Sequence, residues 1–95
     1  MSETKLVFRV HAVRRMFTRK ISRDEVAAVI RNGEDVEDYP DDKPYPSKLL
    51  LGWSGGRPVH AVVAHNETEG EFIVVTAYEP DLEKWEEGFK VRRKK

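Results

Sequence analysis

The chain has no cysteine, which excludes disulfides, thiol catalysis and cysteine-ligated zinc. It has no apolar run near the roughly 18 residues that a membrane-spanning helix needs, so no membrane partner is expected. It has no net charge. Seventeen Lys+Arg balance seventeen Asp+Glu, which argues against a histone-like polycation. The stretch from Met1 to Lys5 is polar, unlike a secretory signal. There is no Walker loop, dinucleotide fingerprint or nucleophile elbow; Ser54-Gly55-Gly56 reads as a hairpin turn. Three histidines without His-x-x-x-His spacing make no metal-binding pattern, and no cofactor is expected. What is left is 95 residues at 39% hydrophobic, enough for one modest core. The expectation is a single cytoplasmic domain over 1–95, with its core from about 6 to 89 and a basic, disordered tail at 90–95.

The charges are segregated along the chain. Residues 1–33 hold eight bases against three acids, and residues 34–46 hold six acids against Lys43. Residues 67–87 hold eight acids against Lys84, and residues 88–95 hold five bases. Both ends are therefore basic. A fold that brings them together gives a surface for a polyanion; a fold that sets each end beside an acidic block gives ordinary solvated faces.

Lys5 to Arg9 alternates and reads as a short strand or the lead into a helix. Val10 to Arg19 reads as a helix, with Val10, Val13 and Phe17 on one stripe and His11, Arg15 and Arg19 on another. Ser22-Arg23-Asp24-Glu25 fits a capping box. Val26, Val29 and Ile30 form the buried stripe of that second helix, and Gly33 stops it as a left-handed cap. Val36 to Tyr39 is extended, and the prolines that follow make a loop. Lys48–Ser54, Arg57–His65 and Glu71–Tyr78 read as strands joined by tight turns. Asp81 to Phe89 reads as a short helix carrying Trp85. The fold class is α+β: two N-terminal helices packed on a twisted antiparallel sheet of about four strands. Alternation places Leu49, Leu51, Trp53, Val59, Ala61 and Val63 under the helices with Ile73, Val75 and Ala77. It leaves His60, Thr76 and Tyr78 on the open face, with His60 paired to Thr76 and diagonal to Tyr78.

Several of these pieces, in this order and spacing, resemble a small bacterial family, domain of unknown function 4258. They are His11-Ala12-Val13-Arg14-Arg15-Met16 with Arg19 and Ile21-Ser22, then Gly33 and Val36-Glu37-Asp38-Tyr39-Pro40. Pro58-Val59-His60-Ala61-Val62 and Thr76-Ala77-Tyr78-Glu79-Pro80-Asp81 with Trp85 complete the set. The resemblance runs from about Leu6 to Arg93. Such proteins are similar to the RelE and BrnT toxins, of the barnase–colicin–RelE class of metal-independent ribonucleases. The resemblance implies a RelE-like fold, RNA or the ribosome as target, and a cognate antitoxin of zinc-finger or helix-turn-helix type.

Metal-free RNA cleavage needs a base for the 2′-hydroxyl, cations for the phosphorane and an acid for the leaving 5′-oxygen. Histidine suits the proton transfers, and arginine grips phosphate oxygens bidentately. The catalytic candidates are His60 as base or acid, Tyr78 as acid or stacking group, and Arg15 as phosphate stabiliser. The RNA-binding candidates are His11, Arg19, Thr76, Arg92 and Arg93. Each has a plainer reading. His60 can be a packed histidine satisfied by a hydroxyl, His11 and Arg15 a helix-surface pair, Tyr78 an edge of the core. Trp85 reads as a staple of the last segment. Strands 47–78 carry only Lys48 and Arg57, fewer bases than a RelE-like site concentrates there. A non-catalytic module binding protein or nucleic acid is the competing expectation.

Overall fold

The computed structural model describes residues 5–94. The elements in chain order are β1 (Lys5–Phe8), α1 (Val10–Arg19), α2 (Arg23–Asn32), β2 (Glu34–Tyr39), β3 (Ser47–Ser54), β4 (Arg57–Asn66) and β5 (Glu71–Tyr78). They form an α+β fold with one five-stranded mixed sheet, ordered β1-β5-β4-β3-β2. From β2 to β5 the chain is an antiparallel meander, and β1 adds to β5 in parallel. Two sequence expectations change here. The sheet has five strands rather than four, and a strand precedes both helices. Four residues of alternating Lys-Leu-Val-Phe are too few for periodicity to separate a strand from a helix lead-in. The free edge of β5 decides it.

The helices take their boundaries from local chemistry. At the start of α2 the Ser22 hydroxyl accepts from the Glu25 N–H at 3.1 Å, and the Glu25 carboxylate accepts from the Ser22 N–H at 2.7 Å. The capping box is therefore complete. Helix α1 ends on Lys20 in the left-handed conformation, with Lys20 and Ile21 N–H groups returning to the Phe17 and Met16 carbonyls. Gly33 departs from expectation. Its φ of −75° is extended, not left-handed. Glycine is needed there for space, because a Cβ would stand 2.4 Å from the Val29 carbonyl oxygen and 2.8 Å from that of Leu51.

Helix α1 packs on β5, and α2 packs on β3 and β4. The core between helices and sheet includes Ala12, Met16, Val26, Val29, Leu50, Val59, Ala61, Val63, Val74 and Ala77. Gly52 lets α2 approach, since a Cβ there would meet Val29 Cγ2 at 2.6 Å. The expected face assignment of β3 is inverted. The two-residue turn sets Ser54 opposite Arg57, so Leu50 and Gly52 oppose Ala61 and Val59 and share the helix face. Leu49, Leu51 and Trp53 stand on the other face. The β4–β5 register also differs: His60 pairs directly with Tyr78, and Thr76 pairs with Val62. A bulge follows, so that Val63 opposes Val74 and Val75 is the extra residue.

Helix α1 turns the opposite way from its expected stripe. Ala12 and Met16 are buried, while Val10, Val13 and Phe17 are 68%, 50% and 85% exposed. The second sheet face is not open. Residues 79–94, here called the strap, fold back across it. The expected helix over Asp81–Phe89 does not form beyond a turn. The Asp81 carboxylate takes the Glu83 and Lys84 N–H groups at 3.0 Å each. Gly88 and Phe89 then have φ of 89° and 59° and reverse the chain. Arg93 and Glu86 N–H groups bond to the Lys84 and Val91 carbonyls at 2.9 and 2.8 Å, closing a small hairpin. Residues 90–94 thus return beside the acidic strand β2. Lys90 meets Glu34 at 2.7 Å and Arg92 meets Glu37 at 3.1 Å. Lys95 lies outside the described residues.

Candidate functional site

A cleft of about 250 Å³ opens between α1, the end of β5 and the strap. Arg15 and Arg19 project from α1, Tyr78 ends β5, and Glu79, Lys84 and Arg92 come from the strap. Pro80, Asp81 and Trp85 complete its lining. A shallower hollow adjoins it on α1, lined by His11, Arg14, Arg15, Thr18 and Arg19. The two share Arg15 and Arg19, as residues four apart on a helix should allow.

Two of the cations lie over aromatic faces. The Arg15 guanidinium lies 4.7 Å from the Tyr78 ring centroid, and that of Arg92 lies 4.6 Å from the Trp85 ring centroid. Among the described residues, Arg15, Arg19 and Lys84 meet no carboxylate within salt-bridge distance, whereas Arg92 is paired with Glu37. The carboxylates of the cleft are partly engaged elsewhere. Asp81 caps the strap turn, and Glu79 faces Arg57 at 3.9 Å. With Arg92 neutralised by Glu37, the three cations Arg15, Arg19 and Lys84 against two carboxylates still leave the lining positive, with hydrogen-bond donors free to take phosphate oxygens.

Arg57 ties this end of the molecule together. It donates to the Arg19 and Lys20 carbonyls at 3.2 and 3.0 Å and to Glu25 at 2.8 Å. It thereby satisfies carbonyls left over at the end of α1. The Ser54 hydroxyl donates to the same Glu25 carboxylate at 2.5 Å. These hydrogen bonds, with the Ser22 N–H and the nearby guanidinium, hold the Glu25 carboxyl down at about 2.

Behind the cleft, His60 is fully buried, with an exposure of 0%. Its Nε2 lies 2.8 Å from the Phe89 carbonyl, which can only accept, so Nε2 carries the proton. Its Nδ1 then accepts from the Tyr78 hydroxyl at 3.2 Å. The ring is edge-on to Trp85 and Tyr78, at centroid distances of 4.5 and 5.3 Å. Burial pushes the imidazole below its ordinary value, so the neutral form is favoured. Burial likewise raises the Tyr78 hydroxyl. The face expected to expose His60 is covered, and the imidazole joins β4 to the strap. Phe89 adds an edge-on contact to Trp53 at 5.9 Å.

The structure thus brings Arg15, Arg19, Tyr78 and Arg92 into one cleft and sets His11 beside it. It leaves His60 behind the Tyr78 ring. Thr76 is two pairs further along β4–β5, and its buried hydroxyl has no hydrogen-bond partner among the described residues, so it does not assist His60. Arg93 donates to the Leu82 carbonyl and closes the strap. Sequence reasoning missed Lys84, which sits alone within an acidic block, and missed that Glu79 and Asp81 would share the cleft. The Pro80 that ends β5 signalled the change of direction but not its destination.

A family model described as Domain of unknown function (DUF4258) matches residues 8–79, and the chain belongs to that family. No curated protein and no solved structure matches it. The family match ends at the last residue before Pro80, so most of the strap, including Lys84 and Arg92, lies outside it. No helix among the described residues is long and apolar enough to cross a membrane.

Proposed function

We propose, with membership of this family as the premise, that the cleft binds single-stranded RNA and supports its metal-independent cleavage. In this reading the protein is a bacterial, cytoplasmic toxin of a toxin–antitoxin pair, in line with the resemblance to RelE and BrnT toxins. The observation that carries it is the convergence of Arg15, Arg19, Lys84 and Arg92 on one cleft walled by Tyr78 and Trp85. Cations with adjoining aromatic rings are what a single-stranded backbone and its splayed bases require.

The roles differ from those expected from sequence. His11 is exposed and adjoins Arg15 and Arg19, whereas His60 is enclosed. His11 therefore takes the 2′-hydroxyl proton as that oxygen attacks phosphorus. Arg15 and Arg19 hold the charge of the phosphorane. The bond to the 5′-oxygen breaks, and water protonates the departing oxygen. Tyr78 carries Arg15 on its ring, and its hydroxyl points inward to His60. His60 supports the cleft wall rather than the chemistry.

A second reading, a non-catalytic RNA-binding module, is favoured by a specific observation. The expected base has both ring nitrogens engaged inside the protein. Incubation of total and synthetic RNA in EDTA separates the two. Cleavage to 2′,3′-cyclic phosphate ends, lost in His11→Asn and Arg15→Ala, supports the ribonuclease. Binding without cleavage, with or without ribosomes, leaves the module.

A further inference from the structure

Helix α1 has a second exposed surface that the RNA cleft does not use. Val10, Val13 and Phe17 lie on one arc, spaced at i, i+3 and i+7, and span about 10 Å of helix axis. They are 68%, 50% and 85% exposed. They make up three of the six large hydrophobic side chains exposed among the described residues. An isolated exposed valine is unremarkable, but three on one helical stripe, one of them a phenylalanine, form a row of anchors. The remaining outward surface of α1 is basic. Arg14, Arg15 and Arg19 are on the helix, Arg9 and Lys20 flank it, and the helix contains no acid. Arg14 borders the apolar arc on one side and lines the His11 hollow on the other.

We propose that this face docks an acidic amphipathic helix of a different protein. Its apolar residues would lie over Val10, Val13 and Phe17, and its carboxylates along Arg14 on one flank and toward Arg9 and Lys20 at the ends of the helix. Charge complementarity selects this occupant. A second copy packed α1 against α1 would set two rows of arginine against each other with no acid between them, which costs free energy. A basic partner fails for the same reason. Because Arg14 also lines the His11 hollow that adjoins the cleft, the docked helix overlaps that approach and excludes RNA from it. That last consequence rests on the proposed RNA-binding reading; the docking itself does not.

The test uses the full chain and a synthetic helical peptide with leucines at i, i+3 and i+7 and glutamates on both flanks. A scrambled peptide of the same composition is the control. Binding of labelled peptide is followed by fluorescence anisotropy, and amide shifts by NMR locate it. The patterned peptide is expected to bind ~10-fold or more tighter than the scrambled one, with shifts centred on residues 10–17. Phe17→Ser and Val13→Ser alter exposed side chains, so circular dichroism should be unchanged while patterned binding falls ~10-fold. Equal affinity for both peptides, or for wild type and Phe17→Ser, would overturn the proposal, since charge alone would then account for binding. So would a concentration-dependent dimer that Phe17→Ser abolishes, which assigns the stripe to a second copy. A parallel loss of RNA affinity in Phe17→Ser would also overturn it, assigning the stripe to RNA. Peptide that binds without displacing labelled RNA overturns the overlap. Wild type that binds peptide but no RNA overturns the cleft reading and supports the docking surface.

Discussion

The two faces of the sheet are held by different physics. On the helix face, Val26, Val29, Val59, Ala61, Val74 and Ala77 interlock with almost no exposure. Each fully buried valine contributes about 1.5 kcal/mol or more, without directionality. On the strap face, one irregular segment is fixed by a few directed contacts: the His60 Nε2–H to Phe89, Trp85 against His60, and Arg92 to Glu37. On the first face a change of volume is felt directly as lost or strained packing. The second adds to its buried Leu49, Leu51 and Trp85 the directed hydrogen bonds of one imidazole. The proposed RNA cleft takes Arg15 and Arg19 from the first and Lys84 and Arg92 from the second. Its geometry is therefore only as fixed as the strap.

The largest effect is expected on the helix face. Gly33→Ala drives a methyl group against two backbone oxygens, neither of which can rotate away. A loss of about 3 kcal/mol is expected, read as a drop of well over 10 °C in the thermal midpoint. His60→Phe comes next. It leaves the Phe89 carbonyl and the Tyr78 hydroxyl without a partner, at a cost of about 2 kcal/mol. The damage should be local. Trypsin should cut at Lys90, Arg92 and Arg93 under conditions where the sheet core stays intact, and the cleft should lose the part of its RNA affinity that Lys84 and Arg92 supply. Global unfolding without early strap cleavage would erase the distinction between the faces.

Acid should separate them as well. His60 is depressed in the strapped state, so that state binds fewer protons than the released one. Its contribution is present above the ordinary imidazole value of 6.5 and is lost as pH falls through the lower, folded value. The charges facing this ring are those of Arg92, which disfavours its protonation, and Glu37, which favours it. Glu25 is depressed from 4.5 to about 2 by Ser54, Ser22 and Arg57. Its contribution, about 2 kcal/mol, persists above 4.5 and is lost as pH falls toward 2. Strap release, followed by Trp85 fluorescence in a Trp53→Phe background, should precede the far-ultraviolet unfolding transition. A single coincident transition would merge the two faces into one cooperative unit. The smallest effect is expected from Lys90→Ala. Its pair with Glu34 is half exposed on both sides, and a change within about 0.5 kcal/mol is expected from denaturant titration.

What the sequence revealed follows the same division. The capping box at Ser22 and Glu25, the three long strands and the tight turn at Gly55-Gly56 are local signals, and each reads directly. The faces of β3 are set by the parity of one turn, and the β4–β5 register by a bulge at Val75, which no alternation pattern announces. Helix α1 has apolar residues on two arcs. Ala12 and Met16, the smaller and the more flexible, go inside because α1 lies close against β5, and the stiff valines and Phe17 stay out. The strap was hardest to read. A left-handed Gly88–Phe89 pair, not the acidic helical pattern before it, decides its path and brings Lys84 and Arg92 to Arg15. Arg15, Arg19, Tyr78 and Arg92 were each recognisable as candidates. That His60 would serve as the clasp of the strap depended on which segment covers it, a tertiary fact.

The most direct test of the cleft is anisotropy of a labelled single-stranded RNA over a salt series, with wild type, Arg15→Ala, Arg19→Ala and the outlying control Arg31→Ala. With three to four phosphates engaged, the slope of log affinity against log salt should be about −2 to −3. Arg15→Ala and Arg19→Ala should each weaken binding several-fold and flatten that slope by about 0.7, with Arg31→Ala unchanged. No binding by folded wild type at low salt, or equal losses in all three variants, would contradict the assignment of the cleft to RNA.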